Sequence, residues 1–246
     1  MSEGADSVAG QLRLLHSIAS GIQSRIGAAL EDLSVISTAV CSLLTEAEDQ
    51  GRRPRRSDLS AIRGDLQKVL GASEPTVDGV GVAAAVDYLE DSPYWLEWWR
   101  RSRNDDLEFV AHSLNPHRDV FYDYSSRAWF TAPAATGQTI VTGPYVDVGG
   151  TNAYTVTLSI PLFTRRGFAG IAGADIAAAR FEQFLVGPGR DLRPVVLANA
   201  ALRVIASNSA DYLPGALLQG GVSDSWVQVP VTVGMRKREP WRLFHP

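Results

Sequence analysis

Between Tyr122 and Asp175 the sequence concentrates side chains able to grip a small charged molecule: Tyr122, Arg127, Trp129, Phe130, Tyr145, Asp147 and Asp175. Arg127 offers a planar fork of N–H donors and Trp129 a single indole donor, a combination suited to a carboxylate. Asp147 and Asp175 are acceptors when ionised, and with the hydroxyls of Tyr122 and Tyr145 they suit an ammonium. A zwitterion taken out of water needs both kinds of partner. Each residue also has a purely structural use when taken alone. Arg127 could pair with Asp147 or Asp175 to close a sheet, Trp129 and Phe130 could be core aromatics, and Tyr145, after Pro144, could be a turn residue.

Other chemistry is thinly represented. His16, His112, His117 and His245 show no metal-ligand spacing, so no metal and no cofactor is expected. Gly-x-Ser-x-Gly and Walker-type loops are missing, and no nucleophile, base and orienting group fall together, which argues against an enzyme. Gly79, Gly81 and Ala84 fit Gly-x-Gly-x-x-Ala, but Pro75 and Asp78 stand where a dinucleotide fingerprint needs its strand. Those glycines read as room for a close approach within a strand. Tyr94, Trp95, Trp98 and Trp99 read as core and pocket lid. The net charge of −4, with no gathered basic face, argues against direct binding of nucleic acid. Cys41, the single cysteine, reads as a small core residue of a helix.

The elements that must position these residues suggest an α+β fold. Leu15, Ile18, Ile22, Ile26, Ala29, Leu33, Ile36, Val40 and Leu43 fall at steps of three and four, predicting a long helix that packs on its own domain or on its twin in a dimer. Gly51 and the run Arg52 to Arg56, with Pro54 inside it, predict a solvated loop. A second helix follows, capped by Ser57 or Asp58, carrying Leu59, Ile62, Leu66, Val69 and Leu70 and ending near Gly71. Five strands come next, the third and fourth turning at Gly149-Gly150, the fourth and fifth at Arg165 to Gly167. The alternation of Tyr154, Val156, Leu158 and Ile160 with Thr155, Thr157 and Ser159 predicts one covered and one more polar face. A helix over 177–185 and three or four further strands complete the chain, as a second lobe or as an extension of the sheet. The divisions drawn are 1–75, helical; 76–187, ligand-binding; and 188–246, a smaller β-rich lobe. The N-terminus lacks the marks of an export signal. The apolar window Leu33 to Leu44, closed by Glu31, Asp32 and Glu46, falls short of the roughly 20 residues of a membrane span. No membrane contact and a cytoplasmic location are therefore expected.

The runs Tyr122-Asp-Tyr-Ser-Ser-Arg127-Ala-Trp129-Phe130, Gly143-Pro144-Tyr145-Val-Asp147, Thr157-Leu-Ser159-Ile-Pro161 and Gly170-Ile-Ala-Gly173-Ala-Asp175 together resemble the ligand-binding part of Cache domains. They look like the double-Cache group that recognises amino acids in bacterial chemoreceptors and sensor kinases, with its pattern of Tyr, four residues, Arg, one residue, Trp, Tyr and a later Asp. The resemblance spans roughly residues 77 to 187. It implies a PAS-like antiparallel sheet with flanking helices, here in a soluble stand-alone version, and a small amino acid or related amine or carboxylate metabolite as ligand. Arg127 and Trp129 would face the acid end, and Asp147, Asp175, Tyr122 and Tyr145 the amine. Phe130 departs from the pattern, which has a second tyrosine there; the lost hydroxyl leaves a ligand group to water or Tyr124 and admits a methylated amine or a γ-amino acid. A homodimer through the long helix and a partner such as a transcription regulator would carry the signal. A structural or dimerisation module with a vestigial pocket is the alternative.

Overall fold

The computed structural model describes residues 2–102, 104–148, 154–187, 192–218, 222–223, 225–233 and 241–246, with the side chains of residues 2–7 excepted. The expected Gly149-Gly150 turn lies outside the described residues. Helix α1 runs over Ser2–Asp49. Its stripe from Leu15 through Ile18, Ile22, Ile26, Ala29, Leu33, Ile36 and Val40 is buried, with Leu44 rather than Leu43 at its end. The stripe packs on the chain's own sheets. By length and composition Val8–Asp49 would also suffice to cross a membrane, which the shorter window Leu33 to Leu44 did not indicate.

The expected second helix is two helices, α2 (Arg56–Leu59) and α3 (Ile62–Leu70). The N-cap residue is Arg55 rather than Ser57 or Asp58; Asp58, third in α2, contributes to the cap from within, its carboxylate accepting the Arg55 N–H at 2.7 Å as well as both ends of the Arg52 guanidinium. The arginine run is the exposed loop that the sequence predicts, and its side chains also tie it to the segment 87–91. Arg55 pairs with Glu90 and Arg56 with Asp91, while Arg53 donates to the carbonyls of Asp87, Tyr88 and Leu89.

The first sheet has six strands, one more than the sequence predicts. They are β1 (Gly79–Ala84), β2 (Leu96–Arg101), β3 (Leu107–Phe109), β4 (Ile140–Val146), β5 (Tyr154–Thr164) and β6 (Gly167–Ala177), in the order β3-β2-β1-β6-β5-β4, with every pairing antiparallel. The added strand, β3, is a three-residue edge with no alternation to reveal it. Helix α4 (Ala128–Thr136), in a stretch the sequence leaves irregular, ends at Gly137 in the left-handed region, φ 62°. Helix α5 (Ala178–Val186) follows β6.

The C-terminal strands β7 (Val196–Ala198), β8 (Val204–Ser207), β9 (Val227–Val231) and β10 (Trp241–His245) make a sheet of their own, in the order β8-β7-β10-β9. Helix α1 crosses both sheets. Val156, Leu158, Ala174 and Ile176 of the first join Leu197, Val229, Val231 and Leu243 of the second and the α1 stripe in a single apolar cluster. On its other face the first sheet carries Thr155, Thr157 and Ser159. They are buried as fully as the apolar face, because α4 and the chain leading to it cover them.

Candidate functional site

That second face builds the site. In β5, residues 155, 157 and 159 point the same way, since side chains alternate along a strand. Thr142 of β4 lies opposite Thr157, and Tyr145 opposite Thr155, so three residues of β4 span two of β5. One residue is therefore extra, a β-bulge at Gly143-Pro144. The bulge brings Tyr145, and two residues on Asp147, to the face that Thr142 already occupies. In β6 the same face presents Gly173 and Asp175, and in β1 Gly79 and Gly81, paired with Asp175 and Gly173 in register. A Cβ on Gly81 would meet Glu97 O at 2.3 Å and the Trp98 ring at 2.5 Å, and one on Gly173 would meet that ring at 2.7 Å. The indole of Trp98, from β2, lies across this slot toward Asp175. The glycines thus give the close approach that the sequence suggests, and Trp98 is what approaches.

The resulting cavity, about 240 Å³ including its mouth, is lined by Leu96, Trp98, His112, Tyr122, Trp129, Tyr145, Asp147, Thr157 and Asp175. Its own side chains leave about 10 Å³ of free room, close to what one water needs, so a larger guest requires the walls to shift. Five of the seven residues singled out in the sequence line it. Asp175 and Asp147 are 5% and 8% exposed, and Tyr122 and Trp129 are equally buried. The Tyr122 hydroxyl donates to Asp147 at 2.9 Å. Thr157 donates to Asp175 at 2.6 Å, leaving its own oxygen to accept from Tyr145 at 2.6 Å. Two carboxylates, each with a hydroxyl set around it, therefore share one hollow.

Burial and the nearby Asp147 charge push the Asp175 carboxyl up to about 7, against the pull of the Thr157 hydroxyl. The tyrosines 122 and 145 are driven far above the ordinary phenol range, first by burial and then by the aspartates, so both stay neutral donors. Burial lowers the His112 imidazole below its ordinary value, with Asp147 opposing. Trp98 Nε1 makes no hydrogen bond of good geometry, yet it lies near enough to Asp175 to favour the ionised form. The buried Nδ1 of His112 has no protein partner either.

Arg127 and Phe130 take other places. Arg127 is the exposed N-cap of α4, and its guanidinium lies 5.3 Å from the Tyr122 ring centroid, outside the cavity wall. Phe130 packs against Tyr124, Trp129 and Phe168. Tyr124 cannot supply the hydroxyl that Phe130 lacks, because its own donates to Ala84 O at 2.8 Å and accepts the Trp95 N–H at 3.1 Å. Trp98, expected among the core and lid aromatics, is in the wall, and Leu96, His112 and Thr157 are the wall residues that sequence reasoning did not assign. Thr157 was within reach, standing in a quoted run on the polar face of β5. His112 offered no signal, because it comes from an irregular segment and reaches the wall by stacking on Tyr122, ring centroids 4.5 Å apart.

Residues 89–183 match the family described as "Methyl-accepting chemotaxis protein-like, first PDC sensor domain". No curated protein matches the chain significantly. Among solved structures, one called methyl-accepting chemotaxis protein X is similar with a TM-score of 0.70 and 14% identity, over 100% of this chain and 99% of the other. The ligand-binding domain of the Pseudomonas aeruginosa amino acid chemoreceptor PctC, in complex with GABA, has a TM-score of 0.64 and 18% identity over 98% and 99% of the two chains. That of the Pseudomonas fluorescens chemoreceptor CtaA, in complex with L-serine, has a TM-score of 0.66 and 12% identity over 99% and 97%.

Proposed function

We propose, from the premise that residues 89–183 form a PDC (Cache) sensor domain of the kind found in methyl-accepting chemotaxis proteins, that this chain senses a small amino acid or related amine. The ligand is bound, not transformed, and the signal passes to a partner or a second copy of the chain. The observation that carries the reading is the convergence of Asp147, Asp175, Tyr122, Tyr145 and Thr157 on one small cavity walled by Trp98 and Trp129. Buried acceptors of this density suit an ammonium, and indole faces add cation–π attraction. The GABA and L-serine of the two Pseudomonas complexes share an ammonium and differ in its distance from the carboxylate. In this chain the carboxylate is assigned to the side of Tyr122 where the Arg127 guanidinium lies, 5.3 Å from the ring centroid.

The test is a thermal-shift panel of GABA, L-serine, L-valine and simple alkylamines. A ligand at about a hundred times its Kd adds roughly 2.7 kcal/mol to the unfolding free energy, so a true ligand raises the midpoint by several degrees. A flat panel overturns the reading and leaves the vestigial-pocket alternative. Chemical change of a ligand recovered after incubation overturns its non-catalytic part.

A further inference from the structure

The bulge that turns Tyr145 and Asp147 into the cavity lies on an edge. Strand β4 is the last of the six-stranded sheet and, among the described strands, pairs with β5 alone, so no ladder holds its far side. Between the pairs Thr142 with Thr157 and Tyr145 with Thr155 the ladder on its near side is interrupted too, and Pro144 has no N–H to give. Gly143, at φ 129°, takes a backbone conformation that favours glycine, and a Cβ on it would meet Thr155 O at 2.9 Å. Its carbonyl accepts from Asn199 Nδ2 at 2.8 Å. Asn199 belongs to the second sheet. It opens the turn between β7 and β8 and fastens it, its Oδ1 accepting the N–H groups of Ala201 and Arg203, both at 3.0 Å. With the side-chain oxygen used inside the turn, the amide NH2 is what reaches the first sheet. Beside that bond the two sheets stand apart: a groove of about 750 Å³, its open side included, runs between Thr139, Ile140 and Val141 on one bank and Ala200, Ala201 and Trp241 on the other. The bulge is therefore held from outside by a hydrogen bond rather than by packing.

Resting on the ligand reading above, we propose that Asn199 is a positioning residue of the cavity: it is the clamp by which the second sheet holds the Gly143-Pro144 bulge, and through it the second sheet feels whether the cavity is occupied. Tyr145 and Asp147 follow the clamped carbonyl closely in the chain, and both line the cavity. A bulge free to slide carries both out of the wall. Coupling of this kind is reciprocal. A clamp that raises affinity by holding the bulge is itself tightened when a ligand holds Tyr145 and Asp147. The turn between β7 and β8 then registers a ligand that it never touches.

Asn199→Asp separates the clamp from the turn, because the carboxylate still accepts from Ala201 and Arg203 but has no N–H for the Gly143 carbonyl. In hydrogen–deuterium exchange of the whole chain, the variant should exchange severalfold faster over residues 140–147 and unchanged over 199–203. Its affinity for GABA or L-serine should fall roughly two- to tenfold, the share of one hydrogen bond, with the unfolding midpoint moved by a few degrees at most. In the wild type the same ligand should slow exchange over 199–203. Unchanged exchange over 140–147, or a rise confined to 199–203, reduces Asn199 to a turn residue and overturns the proposal. So does a ligand that binds the variant as tightly as the wild type, or one that binds the wild type and leaves exchange over 199–203 as it was. The two readings fail separately. Faster exchange over 140–147 in the variant supports the clamp even where neither GABA, L-serine nor an alkylamine binds the wild type, and that second result rejects the ligand reading alone.

Discussion

The two faces of the six-stranded sheet are equally buried and built for opposite purposes. Toward α1 the sheet shows Val80, Val82, Val156, Leu158, Ala174 and Ile176, an apolar surface that stabilises in proportion to the area taken from water. Toward α4 it shows Gly79, Gly81, Thr155, Thr157, Ser159, Gly173 and Asp175, and here burial costs free energy wherever a polar group is left short of partners. Ser159 Oγ and Trp98 Nε1 are such groups. One face holds the fold together; the other keeps polar groups out of water where a ligand can use them.

Substitutions should separate the faces. Leu158→Ala, deep on the apolar face, should lower the unfolding free energy by about 3 kcal/mol in denaturant titration while leaving affinity in the surviving folded protein within a factor of a few. A large loss of affinity at unchanged stability would mean that the faces are not separable.

Asp175→Asn should do the reverse. Folded Asp175 keeps its proton to about 7, whereas the unfolded chain loses it near the ordinary 3.8. Between these values the native state binds more protons, so this group's contribution falls as pH rises from about 4 to 7 and is level above. The asparagine should remove that slope and raise stability near pH 8, by up to a few kcal/mol at about 1.4 kcal/mol per pKa unit, while abolishing amine binding. Chemical denaturation at several pH values reads the first effect; a slope that survives in the variant removes Asp175 as its source.

Gly173→Ala tests the slot. The added methyl meets the Trp98 ring at 2.7 Å, so the indole must shift, at a cost of about 1–3 kcal/mol. Trp98 fluorescence should move and affinity should drop; an unchanged spectrum and affinity would deny Trp98 its place in the wall. The smallest effect expected is from Arg127→Ala, whose stacking on Tyr122 at an exposed position contributes about 0.5–1 kcal/mol. Carboxylate-bearing ligands should weaken while alkylamines do not, and equal loss for both would confine Arg127 to supporting Tyr122.

Much of this was legible beforehand. The α1 stripe follows from spacing, and the β5–β6 hairpin from alternation flanking Arg165 to Gly167, because both are local patterns. Five of the seven residues singled out do face one hollow. The polar side of β5 was read as half open to water, although only the covering layer decides that. Arg127 was read as a wall residue because spacing along the chain cannot tell the inner from the outer side of the Tyr122 ring.

The sequence by itself determined which residues repeat on a common face, and hence the long helix, the paired strands and the order of the polar runs. Tertiary structure alone decided which of two faces is hollow. That rested on three non-local facts: a bulge that turns Tyr145 and Asp147 inward, glycines on two neighbouring strands that admit Trp98, and an irregular segment that carries His112 and Tyr122 over the top. Each depends on residues distant in the chain meeting in register, and local periodicity carries no information about such meetings.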